Sequence, residues 1–554
     1  MKRAHAFGYI VGFVAILSLY VLVISFENNP EIGNLPYYTF RTLARISVTY
    51  LIALVTGLLF GLLAATTKTG SMILVPLFDV LQSIPILGYF PAAIIFFISA
   101  FHGAEIGLEL AAILLLYTSM EWAIFFGVVG AVKSIPTNIV EAAKSFDLKG
   151  YGYIRHVVLP AIVPAIISGS TLAWGDGWFF MIAAEYITYG GKTYSLPGLG
   201  SYLAKAAYEY GDTNLAIVLL IIITILVVYI NFLTWHRLTE KAGLGTYKPI
   251  FKTDWSRGLG LPAMRRLAHV PHIPRIHISF GFRHHILSAS RRRIYTRIEK
   301  GMALVSVIVL VFFVTIVAKP GIPSFDDIKK SIMIPEMANL PFYTVSTLTR
   351  LTIAYFISLG IALGMGILAA ERKGFALIFY PIYDIGQSVP ILALFPILFI
   401  SLSQVFGGRL GLEITSLTML VADMIWYLFL NIVTAVKTIP DEIREVSQLI
   451  GMKGFKRIRH IVLPAILPAV VTGSILSWAT GWNTVIFSEY MPHGTEVLWL
   501  PGLGSFLDKA ALQEGNTILL GFLLLVMSGI VIAVDRFIWR KLLRKVERYG
   551  TEAM

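Results

Sequence analysis

The sequence predicts an all-α polytopic membrane protein of two parallel six-helix repeats, twelve transmembrane helices in all. Three observations carry that expectation. The 554 residues are 56% hydrophobic and only 14% charged, with a mean hydropathy of +0.76, far too apolar for a soluble chain around one core. Runs of the ~20 apolar residues that a membrane-crossing helix needs begin near Phe7, Leu43, Met72, Leu108, Leu159 and Asn214, and again near Met302, Leu348, Phe375, Leu410, Leu463 and Thr517. Short motifs also recur at a nearly constant offset. Leu35-Pro36 returns as Leu340-Pro341 and Gln82-Ser83-Ile84-Pro85 as Gln387-Ser388-Val389-Pro390, 305 residues on. Leu159-Pro160 returns as Leu463-Pro464 and Leu196-Pro197-Gly198-Leu199-Gly200 as Leu500-Pro501-Gly502-Leu503-Gly504, 304 residues on. An even number of spans per half gives both halves one orientation, with the transport path between them. The chain divides into a first repeat at 1–235, a linker at 236–300 and a second repeat at 301–554.

The first run, Phe7 to Ser25, follows Lys2 and Arg3. It is long for a signal-peptide core and no small-residue cleavage site follows it in Phe26 to Pro30, so it reads as a retained helix with a cytoplasmic start. Counting spans from there puts Phe26 to Phe40 outside, Lys68 to Gly70 inside, His102 to Gly107 outside, the loop at 134–160 inside and Tyr186 to Asp212 outside. The second half repeats this, with Glu371 to Lys373, the loop at 438–464 and the basic tail Arg536 to Arg548 inside. Basic residues fall on the inner side, as the positive-inside rule requires.

The third span of each half is crowded with prolines, Pro76, Pro85 and Pro91 against Pro381, Pro390 and Pro396. Each removes a backbone donor and clashes with the preceding turn, so no straight helix runs through them. Broken backbone is tolerated in a bilayer only under a cover of protein or water. Gln82, Ser83 and Pro85, with Gln387, Ser388 and Pro390, therefore line either the interface between halves or a hinge, unless the prolines are plain packing kinks. In the fifth span, Trp174 and Trp178 lie one turn apart on one face, as do Trp478 and Trp482, with Asn483 next to the last. They wall a cavity or belong to an interfacial aromatic belt. Asp176, replaced by Thr480 in the other half, is ionisable inside a span and marks a cavity or a polar partner. It is nearly alone there, because the predicted spans offer almost no Arg or Lys. Glu185 and Glu489 close these spans as gate residues or as simple interfacial ones. The segments beyond them are long enough for short helices on the outer face.

The linker is a different material. From His236 to Lys300 it carries fourteen Lys and Arg against three acids, +11 of the chain's +13, which suits anionic lipid headgroups. It lacks the aromatic interleaving or metal-finger spacing of a nucleic-acid module, and its six histidines match no metal-site spacing. The chain has no cysteine, which excludes disulfides and thiol chemistry. There is no phosphate-binding G-x-x-x-x-G-K-[ST] loop, because Tyr186 stands where Gly191-Lys192-Thr193 would need a first glycine. No catalytic triad, carboxylate pair or metal set appears.

The loops at 134–160 and 438–464 carry the family resemblance. The first contains Glu141, Ala142, Ala143, Asp147, Lys149-Gly150, Val157 and Leu159-Pro160; the second contains Glu445, Val446, Ser447, Gly451, Lys453-Gly454, Ile461 and Leu463-Pro464. Both resemble the EAA loop of ABC importer permeases, with Asp147 in the place of the family's Gly and Val446-Ser447 in the place of its two alanines. Gln82 to Pro85 with Pro91, Trp178 to Glu185, and Gly198 to Leu203 look like the nitrate/sulfonate/taurine group of such permeases, here with two permease chains fused. The resemblance implies a type I importer fold, two cytoplasmic ATPase subunits holding ATP and Mg, an extracytoplasmic binding protein, and alternating access driven through Glu141, Ala142, Ala143, Asp147, Lys149 and Gly150 of the first loop and Glu445, Gly451, Lys453 and Gly454 of the second. It implies a small oxyanion as substrate, such as nitrate, a sulfonate or taurine, and a multi-pass protein of the cell membrane with no active site of its own. Two other classes stand beside it. One is an ion-coupled secondary transporter with parallel repeats. The other is a membrane scaffold whose basic linker is the working part.

Overall fold

The computed structural model describes residues 30–236, 238 and 324–552, except 83, 149, 190, 191, 440, 453, 494 and 495. The spans expected from Phe7 and from Met302, the linker beyond Leu238, and the candidate residues Ser83, Lys149 and Lys453 lie outside the described residues. Among the described residues, eight helices are long and apolar enough to cross a membrane.

In the first half, α1 (Leu35–Thr66) opens with Pro36 in its first turn, where its missing N–H has no helical partner to lose. Thr42, Arg45, Ile46, Thr49, Ala53, Gly57 and Gly61 form its buried stripe at helical spacing. Leu51, Val55 and Leu59 lie on the exposed side, 57%, 55% and 61% accessible, which in a bilayer means lipid. The expected third span is two helices, α2 (Lys68–Gln82) and α3 (Ile86–Ala100), parted at Pro85, as the proline argument requires. After them, α4 (Glu105–Lys133) packs against α1. A Cβ on Gly57 would fall 2.8 Å from Ile124 Cγ2, so glycine sets the closeness of that crossing. The loop helix α5 (Thr137–Ser145) follows Pro136 as its N-cap. Next, α6 (Gly150–Glu185) runs for 36 residues. It holds Pro164 in its interior and a π turn at Ile154–Val158, which Leu159 closes with an N–H bond to the Ile154 carbonyl. Pro160 has no N–H to continue the regular ladder, and the wider turn accommodates that loss.

Beyond Glu185 the chain folds into a hairpin, β1 (Tyr186–Tyr189) against β2 (Lys192–Ser195), then α7 (Leu199–Ala204) and α8 (Thr213–Ile230). Short helices were expected here on an outer face. The structure differs on two counts: the hairpins precede the helices, and every residue of α7 is buried. The strands have four residues each, too few to carry a readable alternation.

The second half repeats the first, after α9 (Phe325–Ile332), as α10 (Leu340–Glu371), α11 (Lys373–Ser388), α12 (Ile391–Phe406), α13 (Gly408–Thr438), α14 (Asp441–Leu449), α15 (Gly454–Glu489), β3 (Tyr490–His493), β4 (Glu496–Trp499), α16 (Leu503–Asp508), α17 (Thr517–Val534) and α18 (Arg540–Glu552). The offset changes in one turn. Phe101 matches Phe406, whereas Glu109 matches Glu413, so the deleted residue belongs to the tight link before α4 and α13. That link takes positive φ at His102 and Gly103 in one half and at Gly407 and Gly408 in the other.

The halves pack reciprocally. α3 lies on α17 and α15, and α12 lies on α8 and α6. Each such contact recurs with the halves exchanged, as parallel repeats require.

Candidate functional site

The two short loop helices end alike. Leu148 N–H bonds to the Ala143 carbonyl at 2.9 Å and Asp147 N–H to the Lys144 carbonyl at 3.0 Å, with Asp147 at φ 52°. This is a Schellman end, whose C′ residue must be left-handed. In the second copy Gly451 takes that position at φ 71°, and Met452 N–H bonds to the Ser447 carbonyl at 2.9 Å. Asp147 thus adopts the conformation glycine provides in the other copy. Gly150 and Gly454 start the long helices at φ 53° and 55°. Ala143 and Ser447 face inward, which explains their small size, while Glu141, Ala142 and Glu445 are exposed. Beside them stand exposed apolar side chains: Ile139, Phe146 and Tyr151 on the first loop, and Val446, Leu449, Ile450 and Phe455 on the second. Leu449 is 85% accessible and Phe146 78%, so each loop exposes large apolar side chains of the kind that mark protein contacts.

Further along α6 and α15, the tryptophans fill the interior of their own half. Trp174 meets Tyr50 and Trp235 at ring distances of 5.6 and 6.0 Å, and Trp478 meets Tyr355 and Trp539 at 5.8 Å each. Trp178 and Trp482 are 1% and 2% accessible. Asp176 differs. It reaches across the molecule to within electrostatic range of Asp423 on α13, and Tyr427 lies near both. Asp423 accepts a hydrogen bond from Thr484 at 2.7 Å. Asp176 and Asp423 have Thr480 and Ser119 as their counterparts in the opposite halves, so the shared acidic spot is asymmetric.

The helix breaks also face the other half. Ile86 N–H, freed at the start of α3, donates to Asn483 Oδ1 of α15 at 3.0 Å. Phe179, the counterpart of Asn483, instead joins the apolar cluster of Ile391, Phe395 and Phe399 at the start of α12. Gln82 is exposed and donates to Asp79 at 3.2 Å. Asp79 in turn pairs with Arg540 of the second half at 2.6 Å. Gln387 is exposed and Pro85 and Pro390 are buried; Ser388 is described only as the last residue of α11.

Glu185 and Glu489 are 1% and 0% accessible, each the hub of the same network. Glu185 Oε1 accepts from Thr42 Oγ1 at 2.7 Å and from Arg45 Nη1, and its Oε2 accepts from Gly200 N–H at 2.8 Å. Arg45 forks onto Glu109 with two bonds of 2.8 Å, and Thr42 Oγ1 accepts from Leu199 N–H at 2.9 Å. In the second half Glu489 accepts from Thr347, Arg350 and Gly504 N–H at 2.7, 2.8 and 2.9 Å. Arg350 forks onto Glu413 at 2.7 and 2.8 Å and donates to the Pro501 carbonyl at 2.9 Å. A Cβ on Gly198 would lie 2.2 Å from Glu185 Oε2, and one on Gly502 2.1 Å from Glu489 Oε2, so the Leu-Pro-Gly-Leu-Gly segment is a cradle for a carboxylate. These networks correct two expectations. The spans do hold arginine, and Asp176 is far from the sole ionisable residue inside them. Glu121, 1% accessible, adds another, accepting from Thr56 at 2.8 Å. Arg45 and Glu109 lie inside the apolar runs that begin at Leu43 and Leu108, and their charges are paired inside the protein, where a hydropathy average does not register them.

Both halves match the family model described as a binding-protein-dependent transport system inner membrane component, over residues 57–242 and 362–544. The chain is similar to a nitrate import permease protein of Leptolyngbya laminosa, 29% identical over 192 residues, and spans 63% of that protein's length with 35% of its own. It is 25% identical over 211 residues to a putative aliphatic sulfonates transport permease protein of Bacillus subtilis, covering 37% of this chain and 71% of that one. It is 27% identical over 185 residues to a taurine transport system permease protein of Escherichia coli, covering 33% and 62%.

Proposed function

The chain belongs to the binding-protein-dependent transport system inner membrane component family, a domain it carries twice, and from that premise we propose that it is the fused permease pair of an ATP-driven importer. It is a multi-pass membrane transport component and not an enzyme. In this reading the loops at 134–160 and 438–464 lie on the cytoplasmic side and seat two ABC ATPase subunits, which hold the ATP and Mg. The hairpin end faces outward and receives a substrate-binding protein, and the solute passes between the halves. The observation that carries the reading is the matched pair of loops, each a short helix with an exposed glutamate and exposed apolar neighbours at the foot of a 36-residue helix. Two loops of this build on one face suit two ATPase subunits.

Alternating access follows physically. ATP-driven closure of the two ATPases would draw the loops together, and the helices rooted in them would swing the hairpin ends apart, since packed elements move as bodies. The ion-coupled alternative needs buried ionisable residues that couple an ion to the solute, whereas Arg45 with Glu185 and Arg350 with Glu489 are committed to ion pairs within their own halves.

A small oxyanion such as nitrate, a sulfonate or taurine remains the substrate class suggested by the relatives.

The test is purification of the tagged chain from native membranes in mild detergent, with identification of its companions. An ATPase and a binding protein are the expected companions, and the ligand retained by the binding protein names the solute. A chain that emerges alone under conditions preserving other complexes overturns the reading.

A further inference from the structure

Each half joins its loop end to its hairpin end by one helix. α6 and α15 run unbroken for 36 residues from Gly150 to Glu185 and from Gly454 to Glu489, about 54 Å at helical rise. The last residue of each is the buried carboxylate that holds the hairpin-end segment. Through Glu185, that segment is tied by Gly200 N–H and, by way of Thr42 and Arg45, to α1 and α4. The Leu196 N–H bond to the Glu185 carbonyl at 2.8 Å and its copy from Leu500 to Glu489 at 2.9 Å close the same joint.

The comparison between halves shows what this joint is for. At three places between the halves the copies differ: Asp176 against Thr480, Asn483 against Phe179, Asp423 against Ser119. In the joint they agree at every position: Thr42 and Thr347, Arg45 and Arg350, Glu109 and Glu413, Glu185 and Glu489, Gly198 and Gly502, Gly200 and Gly504. A fused chain is free to let its halves diverge wherever they act differently. Identity at all six of these bonded positions, spread over three helices and the segment beyond them, is what a task shared by both halves requires. The network also has the stiffness such a task needs, because a buried, fully bonded charge pair resists separation far more than apolar packing resists sliding.

We propose that Glu185 and Glu489 are positioning residues that fasten the hairpin-end segments, 186–209 and 490–513, to the helices rooted in the ATPase loops, so that each half moves as one rigid lever during transport. The proposal rests on the permease reading. Without such a joint the hairpins would be free to lag behind the helices, and loop movement would not open the path.

The cysteine-free chain permits a direct test in the complex isolated with its ATPase and binding protein. Spin labels on Ile106→Cys and Glu209→Cys report a distance within the first half, and labels on Glu209→Cys and Glu514→Cys report one across the halves. All three sites are exposed. On trapping with ATP and vanadate, the within-half distance is expected to hold to about 1–2 Å while the cross-half distance shifts by more than that. A within-half change as large as the cross-half one overturns the lever. A cross-half distance that ignores ATP, or a chain without an ATPase, removes the permease reading itself, a distinguishable failure. As a second measure, Glu185→Gln with Glu489→Gln should raise the ATP hydrolysed per solute moved by about fivefold or more, the low end of site-to-site couplings. An unchanged ratio in a folded, monodisperse variant speaks against the joint; if the variant does not fold, the label distances decide.

Discussion

Asp508 ends α16 with its carboxyl buried, and burial together with the neighbouring Glu489 carboxylate pushes its pKa well above the usual range. The folded chain therefore keeps a proton that the unfolded chain releases above pH ~4, and stability falls as pH rises from there. Ala204 holds the matching place in the first half, so alanine fits the site. Asp508→Ala is expected to raise the thermal midpoint over the parent at pH 8 and to bring the two together near pH 5, measured by unfolding in detergent. Glycine in the carboxylate cradle makes a second residue-scale expectation. Gly198→Ala places a Cβ 2.2 Å from Glu185 Oε2, and the forced shift should cost about 1–3 kcal/mol, visible as a lower midpoint. The types of these residues were legible in the sequence, and Leu-Pro-Gly-Leu-Gly and Glu185 were both singled out. Their contact was not, because Arg45 lies 140 residues from Glu185 and no local pattern announces such a partner.

The resemblance marked Asp147 and Gly451 as one glycine position, and the loop helices α5 and α14 end there with positive φ. A Schellman end is a local motif, set by which residue tolerates positive φ and by bonds spanning six residues, so the turn needing glycine was recognisable even where Asp147 fills it. Asp147→Gly should hold the loop at least as firmly, since it relieves the roughly 1 kcal/mol cost of a left-handed non-glycine residue, and should leave ATPase retention on purification undiminished. Reversing the exposed apolar face should do the opposite. Leu449→Arg with Phe455→Arg alters side chains 85% and 74% accessible, so the chain should fold and insert normally yet lose at least about tenfold in co-purifying ATPase, as hot-spot losses of 1.4 kcal/mol or more imply. Full retention would remove this face as the docking surface. The hairpins were not legible, because four-residue strands give too short a pattern and owe their pairing to the joint beneath them.

The whole molecule is two copies of one design that differ along the surface where they meet. The asymmetric spot made by Asp176 and Asp423 belongs to neither half. Converting both to asparagine should alter transport in reconstituted uptake with less effect on assembly, and a variant that transports normally would leave the pair a structural role only. Composition and internal repetition determined the class, the duplication and the place of the loops, because lipid imposes apolar runs of set length and a repeat copies its motifs at a steady offset. Only the tertiary structure decided which charges are partners, that the short helices α7 and α16 are buried, and that two acids from different halves lie within electrostatic range. Hydropathy averages along the chain, whereas a salt bridge, a helix crossing and an interface bring together residues that the chain keeps far apart.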